Sequence, residues 1–174
     1  MKQAKCAGLV LAAAAVAALS GCSVGLGPTG SSLSGDFEAP VNYRQAYRSA
    51  LDQTKLCLLG GGAYHTEERL DEATHSGAVT VAANLVSSRE MSRVEISAAG
   101  EKRTRVHVQM WGRSLWDAKA MRAMHDAVYF SAPSCGVYIP PPPGSNPDAW
   151  FHIKREGAAG GGFRSRRPAI GAPP

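Results

Sequence analysis

No apolar run in this 174-residue chain is long enough to cross a membrane. The longest, residues 8–19, spans twelve positions, against the roughly 20 that a membrane helix needs. Cysteine is scarce: Cys6, Cys22, Cys57 and Cys135 make no Cys-x-x-Cys pair, which argues against a thioredoxin-like redox site. The five histidines, His65, His75, His107, His125 and His152, include no His-x-x-x-His and no Cys/His cluster at zinc spacing, so neither a metal nor a cofactor is expected. The serines gather in linkers and turns, a poor context for a serine nucleophile. The carboxylates Glu67, Glu68, Asp71 and Glu72 come as adjacent pairs. Neighbours on a strand point to opposite faces, so these read as a solvated edge that discourages edge-to-edge pairing. No catalytic residue is assigned, and the chain is read as a non-enzyme. Basic excess is small, 19 Lys and Arg against 14 Asp and Glu, and supports no nucleic-acid face.

What is present is concentrated at the N-terminus. Lys2 and Lys5 precede the apolar run, which ends in Leu19-Ser20-Gly21-Cys22. A positive start, a short apolar core and small residues before a cleavage point make a targeting segment. The tetrapeptide resembles the lipobox of bacterial lipoproteins, over residues 1 to about 25. The resemblance implies that the signal peptide, residues 1–21, is removed. Cys22 then becomes the N-terminus and carries a thioether diacylglycerol and an acylated amino group, palmitate-type chains that hold a protein firmly where one chain would not. Ser23, rather than aspartate, follows the cysteine; by the family's sorting rule this implies the outer membrane, with the domain in the periplasm or at the surface.

Composition divides the remainder. Residues 22–35 are rich in Gly and Ser and read as a flexible linker. Residues 36–139 carry the folded domain. Residues 140–174 begin with four consecutive prolines and end in a Gly/Arg-rich stretch, too poor in apolar residues to offset their ordering entropy. Trp150, Phe151 and Ile153 are the one apolar cluster in that tail and its only candidate for local docking. Between Trp150 and Pro174, Lys154, Arg155, Arg164, Arg166 and Arg167 oppose Glu156 alone. They read either as a solvated tail or as a contact for an anionic surface, with Arg164, Arg166 and Arg167 the reaching residues. With Cys6 in the signal peptide and Cys22 acylated, Cys57 and Cys135 are left as a pair. In an oxidising compartment they read as one disulfide, closing a loop worth roughly 4.5 kcal/mol in the chain-entropy model; two buried thiols are the alternative.

Within the domain, Asn42 and Gln45 mark a helix start. Tyr43, Ala46, Tyr47, Ala50, Leu51, Thr54 and Leu58 keep a helical period up to the glycine triplet 60–62. Four strand-like runs follow at residues 63–70, 78–86, 91–98 and 104–111. Val79, Val81 and Ala83, then Val94 and Ile96, then Val106, Val108 and Met110 alternate with polar neighbours, the signature of half-buried antiparallel strands. A second helix is predicted from Ser114 to Pro133. The expected fold is α+β: a four-stranded antiparallel meander in the order αββββα, both helices on one face, with disordered tails. That architecture resembles the small helix-on-sheet domains of envelope assembly lipoproteins. Arg105, His107 and Trp111 form a possible binding surface on the outer face; alternatively Trp111 packs under the strand-helix junction with Trp116. The expected function is a non-catalytic binding or envelope-assembly module, lipid-anchored in the outer membrane, with an envelope protein or cell-wall partner. The alternative is a small lipid-anchored hydrolytic or metal-dependent enzyme.

Overall fold

A computed structural model describes residues 24–27, 30–84, 89–136, 144 and 146–154. Residues 1–21, read from the sequence as a signal peptide, Cys22, and the tail residues Arg164, Arg166 and Arg167 lie outside the described residues. The fold is α+β, two helices over a six-stranded antiparallel sheet. In chain order the elements are β1 (Ser32–Ala39), α1 (Tyr43–Cys57), β2 (Tyr64–Asp71), β3 (Ser76–Ala83), β4 (Glu90–Gly100), β5 (Arg103–Met110), α2 (Ala118–Tyr129) and β6 (Phe151–Lys154). Across the sheet they stand β2-β3-β4-β5-β1-β6. Among the described residues no helix is long and apolar enough to cross a membrane.

The middle of the chain follows its period-two pattern. Val79 and Val81, Val94 and Ile96, and Val106, Val108 and Met110 are buried in register: Val79 opposes Val94, and Val94 opposes Val108. Ala46, Tyr47 and Ala50 of α1 and Met121, Met124 and Val128 of α2 cover them. The β2–β5 meander is present with small shifts of its ends.

The expected strand count and element order require correction. Six strands, not four, form the sheet, and the order is βαββββαβ. β1 begins inside the stretch read as linker. Its inward positions are Leu33, Gly35, Phe37 and Ala39; two of the four are too small to register as apolar density, which hides the alternation. β6 lies inside the stretch read as disordered tail. It pairs with β1 from Gly35↔Phe151 to Ser32↔Lys154, and Phe151 is 5% exposed. Gly35 is required by this close approach: a Cβ there would stand 2.5 Å from the Phe151 Cβ and 2.7 Å from the Trp150 carbonyl oxygen.

Helix ends follow side-chain chemistry. Asn42 caps α1, its Oδ1 accepting from the Gln45 N–H at 2.9 Å, which satisfies a donor the first turn leaves unpaired. The second helix starts later than its sequence suggests. Ser114 opens a 3₁₀ turn, Ser114–Trp116, that buries Trp116 completely. Asp117 then caps α2 by accepting from the Lys119 and Ala120 N–H groups at 2.9 and 3.0 Å.

Two features fasten the chain after α2 to α1. Cys57 and Cys135 are joined, with Cα atoms 5.4 Å apart. Gln53, 1% exposed, donates through Nε2 to the Ser134 carbonyl at 2.9 Å and accepts the Ser134 N–H at 2.7 Å. Its amide thus substitutes for a strand partner. Losing it leaves the partly buried N–H and carbonyl of Ser134 unpaired, against about 1–3 kcal/mol for each fully buried group.

Gln53→Ala is therefore expected to lower unfolding free energy by about 2 kcal/mol with the disulfide intact, measured by urea denaturation. Gly35→Val is expected to cost about 1–3 kcal/mol through overpacking. Its signature is loss of amide-exchange protection at residues 151–154 with little change in the β3–β4 pair.

Candidate functional site

The sheet face away from the helices is polar, and its register sets residues in rows. Glu95, His107 and Asp36 form one row; Ser97, Arg105 and Glu38 form the next. His107 Nδ1 lies 2.7 Å from Asp36 Oδ1, and Arg105 Nε lies 3.9 Å from Glu38 Oε1. Arg93 pairs with Glu90 and, at 3.6 Å, with Glu95. This face is a lattice of partly exposed ion pairs, each worth little alone. The structure thus brings Arg105 and His107 together but separates them from Trp111.

Trp111 stands beyond the end of β5, continuing its ladder through a 2.9 Å bond from its N–H to the Met91 carbonyl. Its ring packs against Trp116, centroids 6.2 Å apart, and Trp116 packs edge-on against Tyr64 at 4.6 Å. The Arg113 guanidinium lies 6.0 Å from the Trp111 ring centroid. Of the two readings of Trp111, the geometry has the junction with Trp116. Strand alternation predicts the outer face correctly up to Gln109 but does not reveal that the chain bends into the 3₁₀ turn immediately afterwards.

The histidines are dispersed. His65 sits on β2, its Nε2 3.5 Å from Glu67. His75 ends the β2–β3 turn with φ of 50° and its ring 5.2 Å from Tyr43. His125 packs among Phe37, Tyr129 and Trp150, with Nδ1 3.0 Å from Asp126. Among the described residues no three His, Cys, Asp or Glu side chains are placed to hold a metal ion.

A cleft of about 450 Å³ opens on the outer face where β1 begins and β6 ends. Ser32 and Ser34 of β1 and Gln109 of β5 form its floor; His152, Ile153 and Lys154 form one wall; Leu26 and Gly27 form the other. The latter wall is held by the Leu26 N–H, which donates to the Glu90 carbonyl at 2.7 Å. Hydroxyl, amide, imidazole and ammonium groups line the cleft, and none of its described lining residues is acidic. It is suited to holding a polar or anionic group through hydrogen bonds. Sequence reasoning missed it because its walls come from the stretches read as linker and tail. The signals were faint: alternation of Leu33 with Phe37, and of Phe151 with Ile153.

The largest electrostatic perturbation lies at the opposite end of the sheet. Glu72, in the β2–β3 turn, accepts from the Arg44 guanidinium and the Tyr43 hydroxyl. Those bonds, with Arg44 first, hold its carboxyl down at about 2, from an ordinary 4.5. The same bonds raise Tyr43 and Arg44. This is a clasp between a hairpin and α1. The chain matches no protein-family model and no curated protein sequence, so the reading of its function rests on its own residues.

Because the native Glu72 carboxyl binds its proton far more weakly than an unfolded one, its stabilising effect is complete above about 4.5 and fades as pH falls toward about 2. Glu72→Gln is expected to flatten that acid limb of the stability curve while leaving the neutral-to-alkaline region parallel to wild type, read by denaturant titration at stepped pH.

Proposed function

We propose that the protein is an envelope lipoprotein, anchored in the outer membrane through acyl chains on Cys22, whose domain is a non-catalytic binding or envelope-assembly module. The address rests on Leu19-Ser20-Gly21-Cys22 and on Ser23. The Cys57–Cys135 bridge agrees with an oxidising compartment. The observation that carries the binding reading is the cleft between Leu26 and β6. It gathers donors on a sheet, and among its described lining residues there is no carboxylate, an arrangement suited to holding a ligand. The paired charges of the surrounding face, His107 with Asp36 and Arg105 with Glu38, keep that face hydrated and set the cleft apart as the site of engagement.

Mass analysis of the N-terminal peptide is expected to find Cys22 acylated, and Cys22→Ala is expected to move the protein out of the outer-membrane fraction. Persistence in that fraction after a salt wash would show anchoring by protein contacts. A photo-crosslinking residue replacing Gln109 is expected to trap a discrete envelope component, and one replacing Arg69 at the far edge of the same face is not. Equal labelling at both positions would remove the cleft from the reading.

A further inference from the structure

The cleft lies at one end of the sheet, and both ends of the described chain converge there. Val24–Gly27 is packed against the start of β4: Leu26 bonds to Glu90, and a Cβ on Gly25 would stand 2.6 Å from the same carbonyl oxygen. Val24 follows Cys22 by two residues, so covalent geometry keeps their Cα atoms within about 7 Å. A lipid anchor on Cys22 therefore has almost no spacer. β6 runs antiparallel to β1 with Lys154 opposite Ser32. The last described residue, Lys154, therefore stands beside the start of β1.

The rim of this end carries both characters that a membrane surface selects. Exposed apolar side chains stand here, Val24 at 39%, Leu115 at 41% and Ile153 at 58%. Arg89, Arg113 and Lys154 are exposed at the same end. The opposite end carries Asp71, Glu72 and Glu101, with Arg44 paired to Glu72 and with Lys102 and Arg103 beside Glu101.

We infer that the end of the sheet bearing Ser32 and Lys154 is apposed to the anchoring membrane and that its cleft receives the headgroup of an anionic phospholipid. The inference rests on the reading that Cys22 is acylated, and it names the ligand of the cleft. Apolar side chains enter the interface, cations approach the headgroup charge, and the short anchor holds them there. The sheet's ion-pair rows then stand edge-on to the membrane and remain open to the aqueous side.

The test uses the full acylated protein in vesicles of phosphatidylcholine with phosphatidylglycerol, doped with a lipid-borne fluorescence quencher. A fluorophore is attached in turn at Ile153→Cys and at Glu101→Cys, both exposed positions. Quenching is expected to be severalfold greater at position 153, and the contrast is expected to fall in about 0.5 M salt, which screens exposed charges. Equal quenching, or more at position 101, overturns the orientation. Arg89→Glu combined with Arg113→Glu is expected to reduce the contrast while the thermal transition stays in place; an undiminished contrast overturns the headgroup assignment. Two outcomes separate this inference from the broader reading. Acylated Cys22 with no positional contrast refutes the inference alone. An unacylated Cys22 in envelope-derived protein refutes the anchor.

Discussion

The fold depends on bringing the end of α1 and the segment after α2 together. A sheet with one apolar face must be covered, and one helix is too narrow to cover six strands. Two helices side by side suffice, but they are separated in the chain by the whole β2–β5 meander. The Cys57–Cys135 bond and the Gln53–Ser134 pair close that separation where the two helices meet. The covalent link reduces the freedom of the unfolded chain. The amide pair contributes direction, because a side chain that both donates to and accepts from one residue allows a single orientation of that residue. Further along the chain, β6 completes the edge beside β1.

The two sheet faces divide the work. The inner face is packed with branched aliphatic and methionine side chains over α1 and α2, a core in which alternation of residues along each strand settles the register. The outer face satisfies its charges within itself, by cross-strand pairs such as His107 with Asp36. A lattice of that kind adds little stability but leaves no unpaired cluster to attract nonspecific partners. The cleft differs because its walls are not meander strands. They are the arriving and departing segments of the domain, and the departing one brings the donors of His152 and Lys154.

This placement gives the proposed anchor a mechanical meaning. A flexible spacer would let a domain sample every orientation above a membrane, whereas packing of Val24–Gly27 against Glu90 fixes where the chain enters the fold. Position on the membrane and identity of the binding face then become one property, set by which end of β1 comes first.

Local pattern was enough for the elements that repeat it. The alternation of Val79 to Ala83, Val94 to Ile96 and Val106 to Met110, the cap at Asn42, and the even pair Cys57 and Cys135 were legible because each is decided by neighbours in sequence or by redox chemistry. The N-terminal motif is legible in the same local way and carries the proposed address. β1, β6 and the cleft were not, for a physical reason. Gly35 occupies a core position because β6 approaches too closely for anything larger, and Phe151 becomes buried only because Gly35 leaves room. Nor does strand periodicity reveal that Trp111 leaves the outer face, since the bend after Met110 is imposed by burial of Trp116. The sequence by itself determined the α+β composition, the alternating faces of the meander strands and the disulfide pair. Tertiary structure alone decided that stretches of linker-like and tail-like composition become adjacent strands, because their strand state is stabilised by each other's edges and by no pattern within either.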